Sequence, residues 1–248
     1  MNIAVCISHV PDTATKIKIG ADEKSIDQNN VTYIINPYDE FAVEEALKTK
    51  EKFGGEVTAI SLGGEQNKET IRKALAMGVD KGILLKSEKE MDSVSVAKAL
   101  AEELKNLNPD IIFCGKQSVD FDDSAVPQML SEFLGFNCVT VAVDLKIEDK
   151  NVTVEREIEG GKEVVATELP VVIGAQKGLN EPRYASLKGI MAAKKKTIEE
   201  KPIGEGKNTL EILRMYKPAP KKPGRILGTD KSAVPELVKL LREEAKVI

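Results

Sequence analysis

Four short apolar runs, at residues 2–7, 56–62, 82–86 and 110–114, are separated by stretches whose apolar residues recur at helical spacing. This rhythm constrains the fold more than any other feature of the chain. Runs so short and so continuous fit strands buried on both faces. Between them, residues 38–53 carry the stripe Phe41, Ala42, Ala46 and Leu47. Residues 67–77 carry Ile71, Ala74, Leu75 and Met77, and residues 93–107 carry Val96, Ala97, Leu100 and Leu104. Residues 124–134 continue in the same manner. Gly54-Gly55 and Gly78 are placed to end the first two helices. Alternating strands and helices at this spacing predict a parallel sheet with right-handed crossovers.

The periodicity changes after residue 138. Residues 139–147, 152–158 and 163–169 alternate apolar with polar, as antiparallel ribbons do. Gly160-Gly161 supplies a hairpin turn between the last two. Residues 171–175 read as a final buried strand, and Ile17, Ile19 and Ile26 as a small hairpin excursion. Residues 201–225 are rich in Pro, Gly and Lys with little apolar periodicity, which reads as an extended arm. Residues 233–245 then recover a helical stripe through Leu237, Leu240 and Leu241. The expected fold is therefore α/β. It is a doubly wound, mainly parallel sheet with an added antiparallel ribbon and a C-terminal extended arm plus helix. Residues 1–198 form the expected α/β domain, and residues 199–248 the arm and helix, which need a surface to pack on.

Composition narrows the function. A net charge of -4 gives no global field favouring nucleic acid. Trp is absent and aromatics make up only 4%, so no platform for stacking bases is apparent. Cys6, Cys114 and Cys138 form neither a CxxC motif nor a disulfide framework, which fits a reducing compartment. His9 is the single histidine, so a histidine-rich metal site is excluded, and no metal is assigned. No apolar run approaches the roughly 20 residues of a membrane span. The chain enters a strand at once, leaving no room for a signal peptide, and the expected location is cytoplasmic.

In open parallel sheets, ligands bind outside the carboxyl ends of the strands at a switch point. Here those ends deliver residues 6–11, Leu62-Gly63-Gly64 and residues 115–129 to one edge, with residues 36–39 at a helix start beside them. Backbone N–H groups at helix starts bind phosphate without a basic side chain. The loop after Gly115-Lys116-Gln117 runs into a helix with Ser124 near its start. There is no Walker A sequence and no GxGxxG. The residues alone support a nucleotide or other anion and, equally, simple helix capping by Asp122, Asp123 and Ser124. No nucleophile–base pair and no obvious general acid is present, which points away from an enzyme.

A second candidate surface is the stretch from Asn180 to Lys196. Pro182 biases Glu181 away from helix, and Leu187, Ile190 and Met191 then fall on one helical face ahead of Lys194, Lys195 and Lys196. An exposed leucine beside a turn and a cationic run suits docking into an apolar pocket of another protein. The alternative is that Leu187 belongs to the core and the lysines are a solvated tail.

The stretch from Asn180 to Lys196 resembles the signature of the electron transfer flavoprotein β subunit. The likeness extends to Val10-Pro11-Asp12-Thr13, Asn36-Pro37-Tyr38-Asp39-Glu40, Val43-Glu44-Glu45-Ala46, the run from Glu69 to Gly78, Gly115-Lys116-Gln117 and Val154-Glu155-Arg156-Glu157-Ile158. It covers nearly the whole chain to Lys196 and is looser beyond. The resemblance implies a redox shuttle subunit rather than an enzyme. Such a subunit pairs with an α subunit that holds most of an FAD. It takes electrons from dehydrogenases, such as acyl-CoA dehydrogenases, and passes them to an acceptor such as a quinone oxidoreductase. It also implies a buried AMP, held here by Cys6, Asn36, Pro37, Tyr38, Asp39 and Leu62 and by Ser118, Val119, Asp120, Phe121, Asp122, Asp123, Ser124, Ala125, Val126, Pro127, Gln128 and Met129. It further implies that Leu187, Ile190, Met191, Lys194, Lys195 and Lys196 meet partner proteins, and that Tyr38 approaches the isoalloxazine.

Pro127 departs from the family, where a glycine is expected, and it removes one N–H from the loop. Bifurcating relatives carry a second FAD in place of AMP and tend to show Asp-Thr-Ala-Gln-Val-Gly. This chain has Asp122-Asp123-Ser124-Ala125-Val126-Pro127, so AMP is the expectation. A bifurcating β subunit and a stand-alone nucleotide-binding protein or enzyme of similar fold are the alternatives.

Overall fold

A computed structural model describes residues 1–87, 89–204, 208–221 and 223–248. They form two compact units, residues 1–213 and 214–248. In the first, β1 (Asn2–Cys6) leads through β2 (His9–Pro11) and β3 (Tyr33–Ile35) to α1 (Pro37–Phe53). Then come β4 (Glu56–Gly63), α2 (Asn67–Met77), β5 (Lys81–Lys86), α3 (Ser93–Leu107), β6 (Ile111–Gly115) and α4 (Val126–Leu134). The ribbon strands β7 (Asn137–Glu148), β8 (Asn151–Ile158) and β9 (Gly161–Glu168) are followed by β10 (Val171–Ala175), α5 (Leu187–Lys195) and β11 (Ile198–Pro202).

The main sheet has the order β11-β5-β4-β1-β6-β10-β7-β8-β9. Every neighbouring pair from β11 to β7 is parallel, and β7, β8 and β9 are antiparallel. The chain winds from β1 out to β5 on one side, then returns to place β6 on the other flank of β1. This is a doubly wound α/β sheet with an antiparallel ribbon, as the periodicity predicts, and its switch point lies between β1 and β6.

Strand alternation divides the core into two layers. Ile3, Val5, Ile111, Phe113 and Ile173 face one side with Ala42, Ala46, Ile71 and Leu75 of α1 and α2. Ala4, Cys6, Ile112, Cys114 and Val172 face the other with Ala97, Leu100, Leu104 and Leu130 of α3 and α4. Local signals frame these helices. In α1, Pro37 sits in the first turn, Asp39 and Glu40 complement its positive end, and Lys50 and Lys52 its negative end. Asp92 caps α3 by accepting from Ser95 N at 2.9 Å, and Asn108 ends it with φ 47°.

Three details depart from the sequence reading. β11 lies inside the stretch read as arm. It pairs with β5 from Ile198↔Gly82 to Pro202↔Lys86. Only Ile198 is buried, and the charged Glu199, Glu200 and Lys201 suit an edge strand while hiding its period. The β2–β3 pair is a second missed feature, joined antiparallel from His9↔Ile35 to Pro11↔Tyr33. At the expected excursion a single Ile19↔Ile26 bridge forms. Helix α4 starts at Val126 rather than 124, because Asp122 and Ser124 adopt φ 57° and 53° and cannot join a right-handed helix.

The second unit carries a 3-10 turn at Lys231–Ala233 and α6 (Val234–Glu243). Arg225 and Glu244 pair at 2.6 Å. Val234, Leu237 and Val238 of α6 are exposed, as are Tyr216 and Ile226 before it. Among the described residues no helix is long and apolar enough to cross a membrane.

Phe113 has no exposed surface and is the largest of the fully buried side chains. Phe113→Ala is expected to lower the unfolding free energy by about 3–5 kcal/mol. Urea denaturation of the two chains measures the difference, and a loss well under 1 kcal/mol would contradict this packing.

Candidate functional site at the strand carboxyl ends

The carboxyl ends of β4, β1 and β6 lie side by side, so Leu62, Cys6 and Gly115 open onto one edge. The start of α1 is fastened across the gap between β1 and β6. Asp39, buried in the first turn of α1, accepts from Ser8 N at 2.7 Å and Gly115 N at 2.9 Å. Asn36 Nδ2 donates to Asp39 Oδ1 at 2.9 Å and to Gln117 O at 2.9 Å, and Asn36 Oδ1 accepts from Val119 N at 3.2 Å. Gly115 is required at this crossing, because a Cβ there would overlap Asp39 Oδ1 and crowd Tyr38. Residues 36–39 and 115–119 are thereby one unit. Tyr38 is half-buried, with the Lys116 ammonium 5.0 Å from its ring centroid.

The loop from Ser118 to Ala125 rises from this unit. Asp120, Phe121, Asp122 and Asp123 are exposed, while Ser118, Val119, Ser124 and Ala125 are half-buried. The side chains hold the loop's own shape. Gln117 Nε2 donates to Asp122, Ser93 Oγ to Asp123, and Ser124 Oγ to Gln117 Oε1 at 2.8 Å. No side chain caps α4, whose N-cap position is Ala125. Its first turn therefore presents N–H groups, less the one Pro127 lacks, in the arrangement that binds anions. Left-handed backbone at two non-glycine residues is strain of the kind that collects at functional sites. Pro127 is buried, Val126 and Met129 pack toward the α3–α4 core layer, and Gln128 points outward. A phosphate group fits this donor set. Lys116 is a cation beside the loop, and the aspartates nearest the helix start are already engaged.

Cys6 and Cys114 are free, buried and adjacent, at the ends of neighbouring strands. A hydrogen bond with Cys6, then burial, raises the Cys114 thiol well above its usual range, so it stays protonated and unreactive. His9 lies nearby, stacked on Tyr33 at 4.8 Å and bonded through Nδ1 to Thr70 Oγ1 at 2.7 Å. Burial lowers its pKa, against a raising influence from Glu69. His9 and Gln117 lie inside the strand-end segments read from the sequence, and Gln117 inside the Gly115-Lys116-Gln117 motif, but neither side chain is assigned a role there.

The stretch 180–196 is held elsewhere. It follows β10, passes along α1 and lays α5 across α2. Leu187 is 78% exposed, which excludes a core role in this chain, and Ile190 and Met191 are also exposed. Tyr184, 97% exposed, belongs to the same apolar surface although the helical spacing did not single it out. Lys194 and Lys195 are exposed, whereas Lys196 is half-buried and donates from Nζ to Val79 O at 2.6 Å. Lys196 serves the fold first.

A family model for the electron transfer flavoprotein domain matches residues 24–205. The electron transfer flavoprotein subunit beta of Bacillus subtilis is 39% identical over the whole of both chains. The chain belongs to the electron transfer flavoprotein β-subunit family. The β-subunit proteins of Bradyrhizobium diazoefficiens (40% identical, whole of both chains) and Sus scrofa (38%, 98% of this chain and 97% of that one) show the same similarity. Electron transfer flavoprotein β subunits are electron carriers, and the family implies flavin chemistry.

Burial pushes Asp39 up from 3.8 to about 7, against the three N–H donors that favour its carboxylate. Between those values the folded chain holds a proton that the unfolded chain has released. Stability contributed by Asp39 is therefore present at acid pH, declines as pH rises from about 4 to about 7, and is level above. In Asp39→Asn this slope, at most about 1.4 kcal/mol per pH unit, should vanish. Urea unfolding of both chains at several pH values from 4.5 to 8 measures it. A constant difference between them would refute the raised pKa.

Proposed function

We propose that this chain is the β half of a heterodimeric electron transfer flavoprotein. It pairs with an α subunit, takes electrons from dehydrogenases such as acyl-CoA dehydrogenases, and delivers them to an acceptor such as a quinone oxidoreductase. FAD held mainly by the α subunit supplies the redox chemistry when bound. The observation that carries the reading is the join between residues 36–39 and 115–119 at the switch point of a chain belonging to this family.

Within that reading, the loop from Ser118 to Met129, with Cys6, Leu62 and the residues from Asn36 to Asp39, encloses AMP. Main-chain N–H groups at the start of α4 and the Ser124 hydroxyl meet its phosphate. Tyr38, half-buried on the outer side of this unit, faces the flavin, and Lys116 above its ring adds positive charge. Residues 214–248 embrace the α subunit through Val234, Leu237 and Val238, an apolar helical face that needs a cover. Leu187, Ile190 and Met191 meet the dehydrogenase, while Lys194 and Lys195 speed encounter in a salt-dependent way. Three free cysteines suit a reducing compartment, read here as cytoplasm.

The test is co-expression with the α subunit, followed by mass spectrometry of the nucleotides released on denaturation. One FAD and one AMP per heterodimer are expected. Removing AMP should lower the melting temperature by linkage and leave flavin redox activity in place. Two FAD and no AMP, with electron transfer lost when the second is removed, would establish the bifurcating alternative. A colourless monomer that hydrolyses ATP would overturn the assignment.

A further inference from the structure

The proposed docking stretch is exposed, yet its backbone is tied down at both ends. Asn180 Nδ2 donates to Phe41 O at 3.0 Å and to Glu45 Oε2 at 2.9 Å. Arg183 then grips one carboxylate three times. Its backbone N and Nε donate to Glu44 Oε2 at 3.0 and 2.8 Å, and Nη2 to Glu44 Oε1 at 2.8 Å. Its Nη1 reaches Glu51 Oε1 at 2.5 Å. At the far end, Arg72 Nη1 donates to Ala193 O at 2.6 Å, and Lys196 Nζ to Val79 O. Between these ties Ser186 caps α5 by accepting from Gly189 N at 3.0 Å. Gly189 lies so close to α2 that a Cβ would overlap Ala76 O. Tyr184, Leu187, Ile190 and Met191 project from the span between the ties.

Most exposed ion pairs contribute little. This one differs in two respects. The Glu44 side chain is only 7% exposed, so its carboxylate is largely out of water while Arg183, 34% exposed, reaches it from the surface. The pair also includes the main-chain N–H of Arg183, so it fixes a backbone position one residue before Tyr184 and four before Leu187. A guanidinium fork sets direction as well as distance, which an ammonium does not.

We propose that Arg183 is a positioning residue for partner docking: clamped to Glu44 and Glu51 of α1, it sets where and at what angle Leu187 and its apolar neighbours meet the electron-donating dehydrogenase. This rests on the reading of the Leu187 surface as the docking site. A preset anchor lowers the ordering cost of association. Loosening it should weaken encounter without slowing transfer inside the bound complex.

The experiment uses the flavin-loaded heterodimer, with an acyl-CoA dehydrogenase reduced by its acyl-CoA as donor. Arg183→Ala and Arg183→Lys are each expected to raise KM for the heterodimer about tenfold and to leave kcat within about twofold. Amide exchange across residues 184–192 should accelerate in both, with the flavin spectrum unchanged. Arg183→Ala added to Leu187→Ala should give little further rise, since it acts through Leu187. If Arg183→Ala folds poorly, Gly189→Ala loosens the same span from α2 without touching a charge and should raise KM likewise. Wild-type KM in Arg183→Lys alongside a raised KM in Arg183→Ala would mean the charge meets the partner directly, which overturns positioning. A raised KM in Leu187→Ala, with wild-type KM and exchange in the Arg183 variants, overturns this inference alone. Wild-type KM in Leu187→Ala overturns the docking reading and this inference together.

Discussion

Where a doubly wound sheet reverses direction, two neighbouring strands send their chains to opposite faces and leave a gap that no ladder hydrogen bond can close. Asp39 closes it here. One buried carboxylate receives the N–H leaving β1, the N–H ending β6 and the amide of Asn36. The start of α1 is thereby locked to both strands, and Asn36 extends the lock to Gln117 and Val119. The loop from Ser118 to Ala125 inherits its starting point from this knot. The burial of a charge is compensated by three donors but not fully, which is why the group holds its proton to an unusual pH.

The same helix serves a second surface. The first turn of α1 forms the wall of the candidate nucleotide site, while Phe41, Glu44, Glu45 and Glu51 further along it receive Asn180 and Arg183. Glu44 and Glu45 are buried carboxylates on a helix that otherwise packs with alanines and Leu47. Their placement makes sense only once the later stretch is seen to run along α1. The two candidate sites, distant in sequence, are thus referenced to one rigid element. Whatever each surface meets, their spacing is set by this one helix.

Much of this was legible in the sequence because the governing interactions are local or periodic. The continuous apolar strands, the glycine at 78 and the Gly160-Gly161 turn all act within a few residues and read correctly. The edge strand β11 was hidden because an edge carries charge to avoid mispairing, and Ile-Glu-Glu-Lys-Pro has no strand period. The α4 boundary moved because Ser124 adopts a left-handed conformation, which serine rarely signals. At the candidate sites, the strand-end rule brought the right segments to one edge. It named the segments that hold His9 and Gln117 without a role for either side chain, and it gave no hint of the Glu44–Arg183 pair, whose partners lie 139 residues apart. The lysine run was read as uniform, and only packing separates Lys196, turned onto Val79 O, from Lys194 and Lys195.

The stretch from β10 to β11 crosses the outside of α1 and α2, and four strands, β6, β1, β4 and β5, lie between its two anchoring strands in the sheet. It is therefore a strap sewn at both ends into separate parts of the same fabric. Its contacts join residues far apart in the chain, and contacts of that kind carry a closure cost that slows folding. The apolar face around Leu187 takes its position from α1 and α2, which are themselves packed on the sheet. The shape of that face is therefore a property of the whole fold and cannot be carried by its own short sequence.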